Sequence, residues 1–271
     1  MNPEDEESVH NESEERSAPS AHVVYETIRK EGEDELERKS SALAWSGLAA
    51  GLSMGFSYIA EALLRHHLPP ASWQPLISKL GYSVGFLIVV LGRQQLFTEN
   101  TLTVVLPLLV RKKAGVLLNV LRLWSVVLLA NLIGSLLFAI VLAHTEVFDA
   151  GMRGVLGEIA TETMQPSFGV LLLRGIFAGW LIALMVWLLP FAEAARIWII
   201  IVLTYLIGIA HFPHVIAGAA EVFYMAASGA RSWSEALGRF LVPTLIGNII
   251  GGVALVAALA HAQIVGGGED A

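Results

Sequence analysis

Leu96-Phe97-Thr98-Glu99-Asn100-Thr101 interrupts a stretch that is otherwise hydrophobic from Ile77 to Val110. In the second half of the chain, His211-Phe212-Pro213-His214 interrupts another, from Ile197 to Met225. Polar residues in the middle of such stretches sit at membrane depth. Backbone leaves a helix there only where protein buries it or water reaches it. One break in each half points to inverted repeats with a solute pathway between them. Pro213 lacks a backbone donor and clashes with the preceding turn, which accounts for the second break.

Composition places the rest of the chain in the same class. It is 55% hydrophobic and 15% charged, where a soluble domain carries about a quarter charged residues. Residues 1–41 hold thirteen of the twenty-four acids and five of the seventeen bases, and the remainder has eleven acids against twelve bases. The net acidity therefore belongs to the N-terminal segment and gives no argument for a nucleic-acid partner. There is no cysteine, which excludes disulfides and thiolate metal sites. No cleavable signal peptide is expected, because the N-terminus is acidic and polar, so the first apolar segment is expected to anchor the chain uncleaved.

A crossing takes roughly 20 apolar residues. Six segments are expected to cross: 42–64, 77–110, 118–143, 168–190, 195–225 and 237–261. The interrupted ones are second and fifth. The expected fold class is thus an all-α membrane protein, six transmembrane helices in a three-plus-three inverted repeat with broken second and fifth helices. No sequence identity between the halves is evident, so the repeat rests on hydropathy and break position. Residues 1–41 are expected to be an acidic, disordered cytoplasmic tail, 42–262 the transmembrane domain and 263–271 a short C-terminal tail. Val23, Val24, Ile28 and Leu36 leave a second option for the tail, a short amphipathic helix at the membrane surface. Arg29, Lys30, Arg38 and Lys39 before the first span, and Arg111-Lys112-Lys113 after the second, put both termini in the cytoplasm. Arg231 and Arg239 argue weakly the other way. Gly47, Gly51 and Gly55, Gly81 and Gly85, and Gly175 and Gly179 recur every four residues, a spacing that lets helices dock closely within one bundle. Gly247, Gly251 and Gly252 do the same in the last span.

Among the polar residues at the breaks, His214 is the first candidate. Ionisable side chains in a span are costly and face a cavity or a partner, and imidazole exchanges protons near physiological pH. The competing reading is a histidine bonded to loop carbonyls that only holds the break open. His211 and His214 share a face on an intact helix, and Glu221 lies two turns further on, which raises a metal site. The intervening proline spoils that geometry and no second cluster supplies the remaining ligands, so neither metal nor cofactor is expected. Thr98 offers a hydroxyl to His214 or to a passing anion, or else bonds its own backbone. Asn100 is placed to cap a half-helix beginning at Thr101, whose N-terminus would present free N–H groups and partial positive charge to an anion. Arg93 strengthens that field, snorkels, or pairs with Glu99.

These motifs resemble the formate/nitrite transporter family. In that family the second span breaks at Gly-x-(Asp/Glu)-Leu-Phe-Thr and the fifth at Phe-x-His followed by Ser-Ile-Ala-Asn. The matching residues here are Arg93-Gln94-Gln95-Leu96-Phe97-Thr98 and Phe212-Pro213-His214-Val215-Ile216-Ala217-Gly218. The sixth-span pattern Pro-x-x-Ile-Gly-Asn-Ile-Ile-Gly-Gly matches Pro243 to Gly252, Asn248 included. The resemblance covers roughly residues 40 to 262. It implies a pentamer of six-span protomers with an aquaporin-like fold, in which Thr98 and His214 are the central pair and Tyr82, Phe86, Leu96 and Ile207 form two hydrophobic constrictions. The departures are Arg93 for glycine, Gln95 for the acid, Gly179 and Gly218 for asparagines, Ile207 for an aromatic and the added His211. They alter the polarity and width of the pore.

The function implied is not enzymatic. It is transport of small monovalent weak-acid anions across a bacterial inner membrane, with protons and the bilayer as further partners and proton exchange at His214. A pore for small neutral solutes is the alternative, although neither break carries the Asn-Pro-Ala pair of aquaporins. A membrane enzyme holding metal at His211, His214 and Glu221, and a scaffold with a vestigial pore, stand behind both.

Overall fold

The computed structural model of the protein describes residues 19–266, and among these it contains helices and turns but no strand. A first helix, α1 (Ala21–Glu37), precedes α2 (Ser40–His67). The interrupted second segment gives α3 (Gln74–Leu91) and α4 (Asn100–Arg111). α5 (Ala114–His144), α6 (Ala150–Met164) and α7 (Phe168–Leu188) follow. The second interrupted segment gives α8 (Arg196–Ile209) and α9 (Val215–Ala227), and α10 (Trp233–Gly266) ends the described chain.

Five of these helices, α2, α3, α5, α7 and α10, are long and apolar enough to cross a membrane. The segment expected as a fifth crossing is the pair α8 and α9, of 14 and 13 residues, each too short to span alone. Packing follows the two halves: α2 lies along α5 and α7 along α10, α3 leans on α2 and α8 on α7, and α3 meets α8. The second half-helices cross over, α9 onto α5 and α4 onto α7 and α10.

The glycine spacing is the physical cause of this closeness. A Cβ at Gly51 would overlap the Asn131 carbonyl on α5, and one at Gly179 the Asn248 carbonyl on α10. Gly134 and Gly251 answer from the other side, against Leu48 and Ile176. Lipid tails give helices no hydrophobic reason to associate, so backbone-to-backbone approach supplies the contact.

Two segments differ from the sequence expectation. Residues 21–37 are not a disordered tail. Ser20 caps α1 by accepting the Val23 amide, and Tyr25, Ile28, Gly32 and Leu36 form a buried stripe. Gly32 sits directly on Thr103 and Pro107 of α4, so the helix is docked on the bundle. The part of that expectation concerning residues 1–18 lies outside the described residues, as does 267–271 of the C-terminal tail. The second difference is α6, capped by Asp149 and buried along Met152, Leu156, Ile159 and Met164 in the connection between α5 and α7.

Candidate functional site

Both breaks are made by the same device, and it is not proline. α3 ends with Arg93 at φ 49° and α8 ends with His211 at φ 51°. In the first, Gln94 N donates to Val89 O (2.9 Å) and Arg93 N to Val90 O (3.2 Å). In the second, Phe212 N donates to Ile207 O (3.0 Å) and His211 N to Gly208 O (3.2 Å). Each is a Schellman cap with a left-handed residue just past the helix. That residue is usually glycine, and a side chain there costs about 1–2 kcal/mol. The first break contains no proline at all. Pro213 lies beyond a helix that has already ended, which corrects the expectation that it causes the break.

Beyond the caps, two asparagines hold the unwound backbone. Asn131 of α5 accepts Phe97 N (2.9 Å) and donates to Gln95 O (2.9 Å) and Gly47 O (2.7 Å). Asn248 of α10 accepts Val215 N (2.9 Å) and donates to Pro213 O (3.0 Å) and Gly175 O (2.8 Å). The two sets of contacts correspond atom for atom between the halves. Asn131 was missed by the sequence reading. Its signal is the repeat Asn131-Leu132-Ile133-Gly134 against Asn248-Ile249-Ile250-Gly251.

Held this way, the breaks bring Thr98 and His214 together. Thr98 Oγ1 and His214 Nε2 are 2.6 Å apart, and both residues are fully buried. His214 also caps α9, its Nδ1 accepting the Ala217 amide at 3.2 Å. An accepting Nδ1 assigns the proton of the neutral ring to Nε2, which then donates to Thr98. The Phe86 ring meets the imidazole edge-on at 5.0 Å, and Tyr82 lies against Phe86 at 5.4 Å.

A cavity of about 500 Å³ opens above this pair on the α6 side. Tyr82 and Ile207 line it, with His214 at its inner end and His211 nearer its mouth. Leu96 and Phe86 are fully buried and do not line the cavity, and Phe86 packs on Tyr82. The wall also carries a charged pair that the sequence reading did not raise, Glu61 and Lys79, together with Glu221, which it raised only as a metal ligand. Lys79, partly buried, donates to the buried Glu61 at 2.5 Å, and Glu221 accepts a hydrogen bond from Thr163. Glu61 is the sole charge in its apolar segment and Lys79 shares its own with Arg93 and Glu99 alone, the signal that would have raised them. Arg174 lines the same cavity without an ion pair among the described residues.

The remaining candidates lie on the α1 side. Asn100 is the first residue of α4, not its cap. It donates to Gln95 Oε1 (3.0 Å) and Leu96 O (3.2 Å), because Leu96 to Asn100 already form a turn. Thr101 N donates to Thr98 O, so it is not free for an anion as expected. Among the described residues, the amides of Thr98 and Ile216 beside the pair lack a protein partner, as do those of Leu96 and His214. Arg93 is exposed and forms no ion pair with Glu99 among the described residues; Glu31 of α1 lies near enough to feel its charge. Glu99 is half-buried with one carboxyl oxygen unpartnered. No three His, Asp or Glu side chains among the described residues converge to hold a metal.

Fold and site together define an all-helical membrane transport protein built on two discontinuous helices. The profile of the formate/nitrite transporter family matches residues 22–262. The inner membrane protein YfdC of Escherichia coli (strain K12) is 40% identical over 251 residues, spanning 93% of this chain and 81% of that protein. The formate channel BtFdhC of Bacillus thuringiensis is 26% identical over 86% of this chain and 91% of its own. A solved FNT family ion channel superposes with a TM-score of 0.78 at 18% identity, over 89% of this chain and 99% of that one. A solved pentameric formate channel with formate bound superposes at 0.68 and 20% identity, over 83% and 98%. The chain belongs to the formate/nitrite transporter family.

Proposed function

We propose that the protein moves small monovalent anions of weak acids, formate-like, across a bacterial inner membrane, with proton exchange at His214. The observation that carries this is the fully buried Thr98–His214 bond at the inner end of the cavity. A bare anion crossing the apolar surroundings of Tyr82, Phe86 and Leu96 would have to shed its hydration at great cost. Neutralising it removes that cost. A proton arriving at Nδ1 displaces the Ala217 amide and makes an imidazolium. The Nε2 proton then passes to the anion, directly or through the Thr98 hydroxyl, and leaves neutral imidazole and neutral acid. The Thr98 and Ile216 amides, and Ala217 once released, supply hydrogen bonds to the anion before transfer. Arg174 attracts it into the cavity.

The pentameric formate channel and the formate channel BtFdhC support the substrate class and a homopentamer, and YfdC supports the inner membrane. Exposed Leu129, Ile133 and Leu137 on α5 and Leu173 and Phe177 on α7 suit contact with lipid or neighbouring protomers. The basic residues before α2 and after α4 support a cytoplasmic side for both termini. Uptake into proteoliposomes across a panel of small anions and neutral solutes at two pH values tests the proposal. Weak-acid anions should enter faster at the lower external pH, and a pentameric His214→Asn protein should lose that uptake. Undiminished uptake by His214→Asn with the same pH dependence, or flux confined to neutral solutes, refutes it.

A further inference from the structure

The cavity wall carries a carboxyl that the transport reading does not use. Glu221 projects from α9 two turns beyond His214, roughly 10 Å along the helix. It is 6% exposed, and one of its oxygens accepts from Thr163 while the other has no partner among the described residues and faces the cavity. The nearest base is engaged elsewhere, since Lys79 is bonded to Glu61. The groups that face Glu221 are Tyr58 and Glu61 from α2, Lys79 and Tyr82 from α3, and Glu162 from α6, itself held by Arg65. None of them places an uncommitted cation on Glu221, and Arg174 of α7, which lines the same cavity, has no ion pair or hydrogen bond with it among the described residues. A guest on its way to His214 therefore passes a carboxyl whose sign of influence depends on its own proton.

We propose that Glu221 is a proton-sensitive filter in the path to His214: neutral, it admits weak-acid anions, and ionised, it repels them. The inference rests on the anion-transport reading and adds a second titrating group to it. The filter differs from His214 in kind, because it exchanges no proton with the substrate and acts through charge alone. Two unit charges about 5 Å apart repel enough, even with water-like screening, to slow passage about fourfold. The less hydrated wall beside Lys79 and Glu61 makes the effect larger.

The test is anion uptake by pentameric wild type, Glu221→Gln and Glu221→Asp in proteoliposomes, read across external pH. The ratio of Glu221→Gln to wild-type rate should rise by about fourfold or more from the acidic to the alkaline end, and Glu221→Asp, which keeps the charge, should hold the wild-type profile. Should Glu221→Gln fail to assemble, Glu221→Met fills the space without charge and carries the same expectation. A ratio that stays constant with pH overturns the filter. So does loss of uptake in Glu221→Gln as complete as in His214→Asn, which would make Glu221 a proton relay. Wild-type protein that moves no anion refutes the transport reading itself, an outcome separate from either.

Discussion

Asn248→Ala is the sharpest perturbation of the site that leaves both Thr98 and His214 in place. The side chain makes three hydrogen bonds, to Val215 N at 2.9 Å, Pro213 O at 3.0 Å and Gly175 O at 2.8 Å. Gly175 lies inside α7, where its carbonyl has a helical partner as well, so its loss matters least. Val215 N and Pro213 O flank His214 in unwound backbone and would be orphaned. At about 1–3 kcal/mol per unsatisfied buried group, the two cost roughly 2–6 kcal/mol. Hydrogen bonds measured inside membranes average about 0.6 kcal/mol, which sets a floor of about 1 kcal/mol for the pair. The loss should appear as a lowered thermal midpoint of the detergent-solubilised oligomer. Uptake should fall with it, because Pro213 and Val215 aim the imidazole at Thr98. Asn131→Ala orphans Phe97 N and Gln95 O and should cost the same within error. An Asn248→Ala protein with wild-type midpoint and uptake would refute the idea that the asparagines hold the breaks. A large difference between the two variants would refute their equivalence.

Gly251→Leu should abolish the oligomer on size-exclusion chromatography, because the added side chain meets the Ile176 carbonyl and the Trp180 amide, backbone that has no room to yield. A normal-sized product would show that α10 does not pack on α7 as described. His211→Ala should change apparent affinity or pH optimum while leaving transport measurable. His211→Gly should raise the thermal midpoint by relieving about 1–2 kcal/mol of left-handed strain, and a lowered midpoint would contradict the cap geometry. Partial desolvation at a side chain that stays solvent-exposed raises the Glu31 carboxyl of α1 above its ordinary value, opposed by nearby Arg93. A folded value above the unfolded one means that docking of α1 is strongest below the unfolded value and weakens as pH rises through the folded one. Hydrogen exchange over residues 21–37, corrected for its intrinsic pH dependence, should therefore quicken from acid to neutral pH in wild type and change less in Glu31→Gln, and equal profiles would discount the linkage.

Properties that depend on local composition were legible along the chain. Hydropathy marked the spans because roughly 20 apolar residues are needed to cross hydrocarbon regardless of what lies beside them. Glycines at intervals of four marked the helix faces that dock, and polar residues in apolar stretches marked both breaks. What escaped depends on partners distant in sequence. The stripe Tyr25, Ile28, Gly32 and Leu36 is too thin to lift the mean hydropathy of an acidic segment, and the surface it covers on α4 is some seventy residues away. The caps gave no local sign, since arginine and histidine stand where glycine would have announced a left-handed turn. Pro213 drew the explanation instead. Sequence by itself determined that this is a helical membrane protein with two interrupted segments, and it named the threonine and histidine at the interruptions. Only tertiary structure decided that Thr98 and His214, 116 residues apart, share one hydrogen bond. The reason is that each is aimed by an asparagine on another helix, so the pair exists only once α5 and α10 have docked.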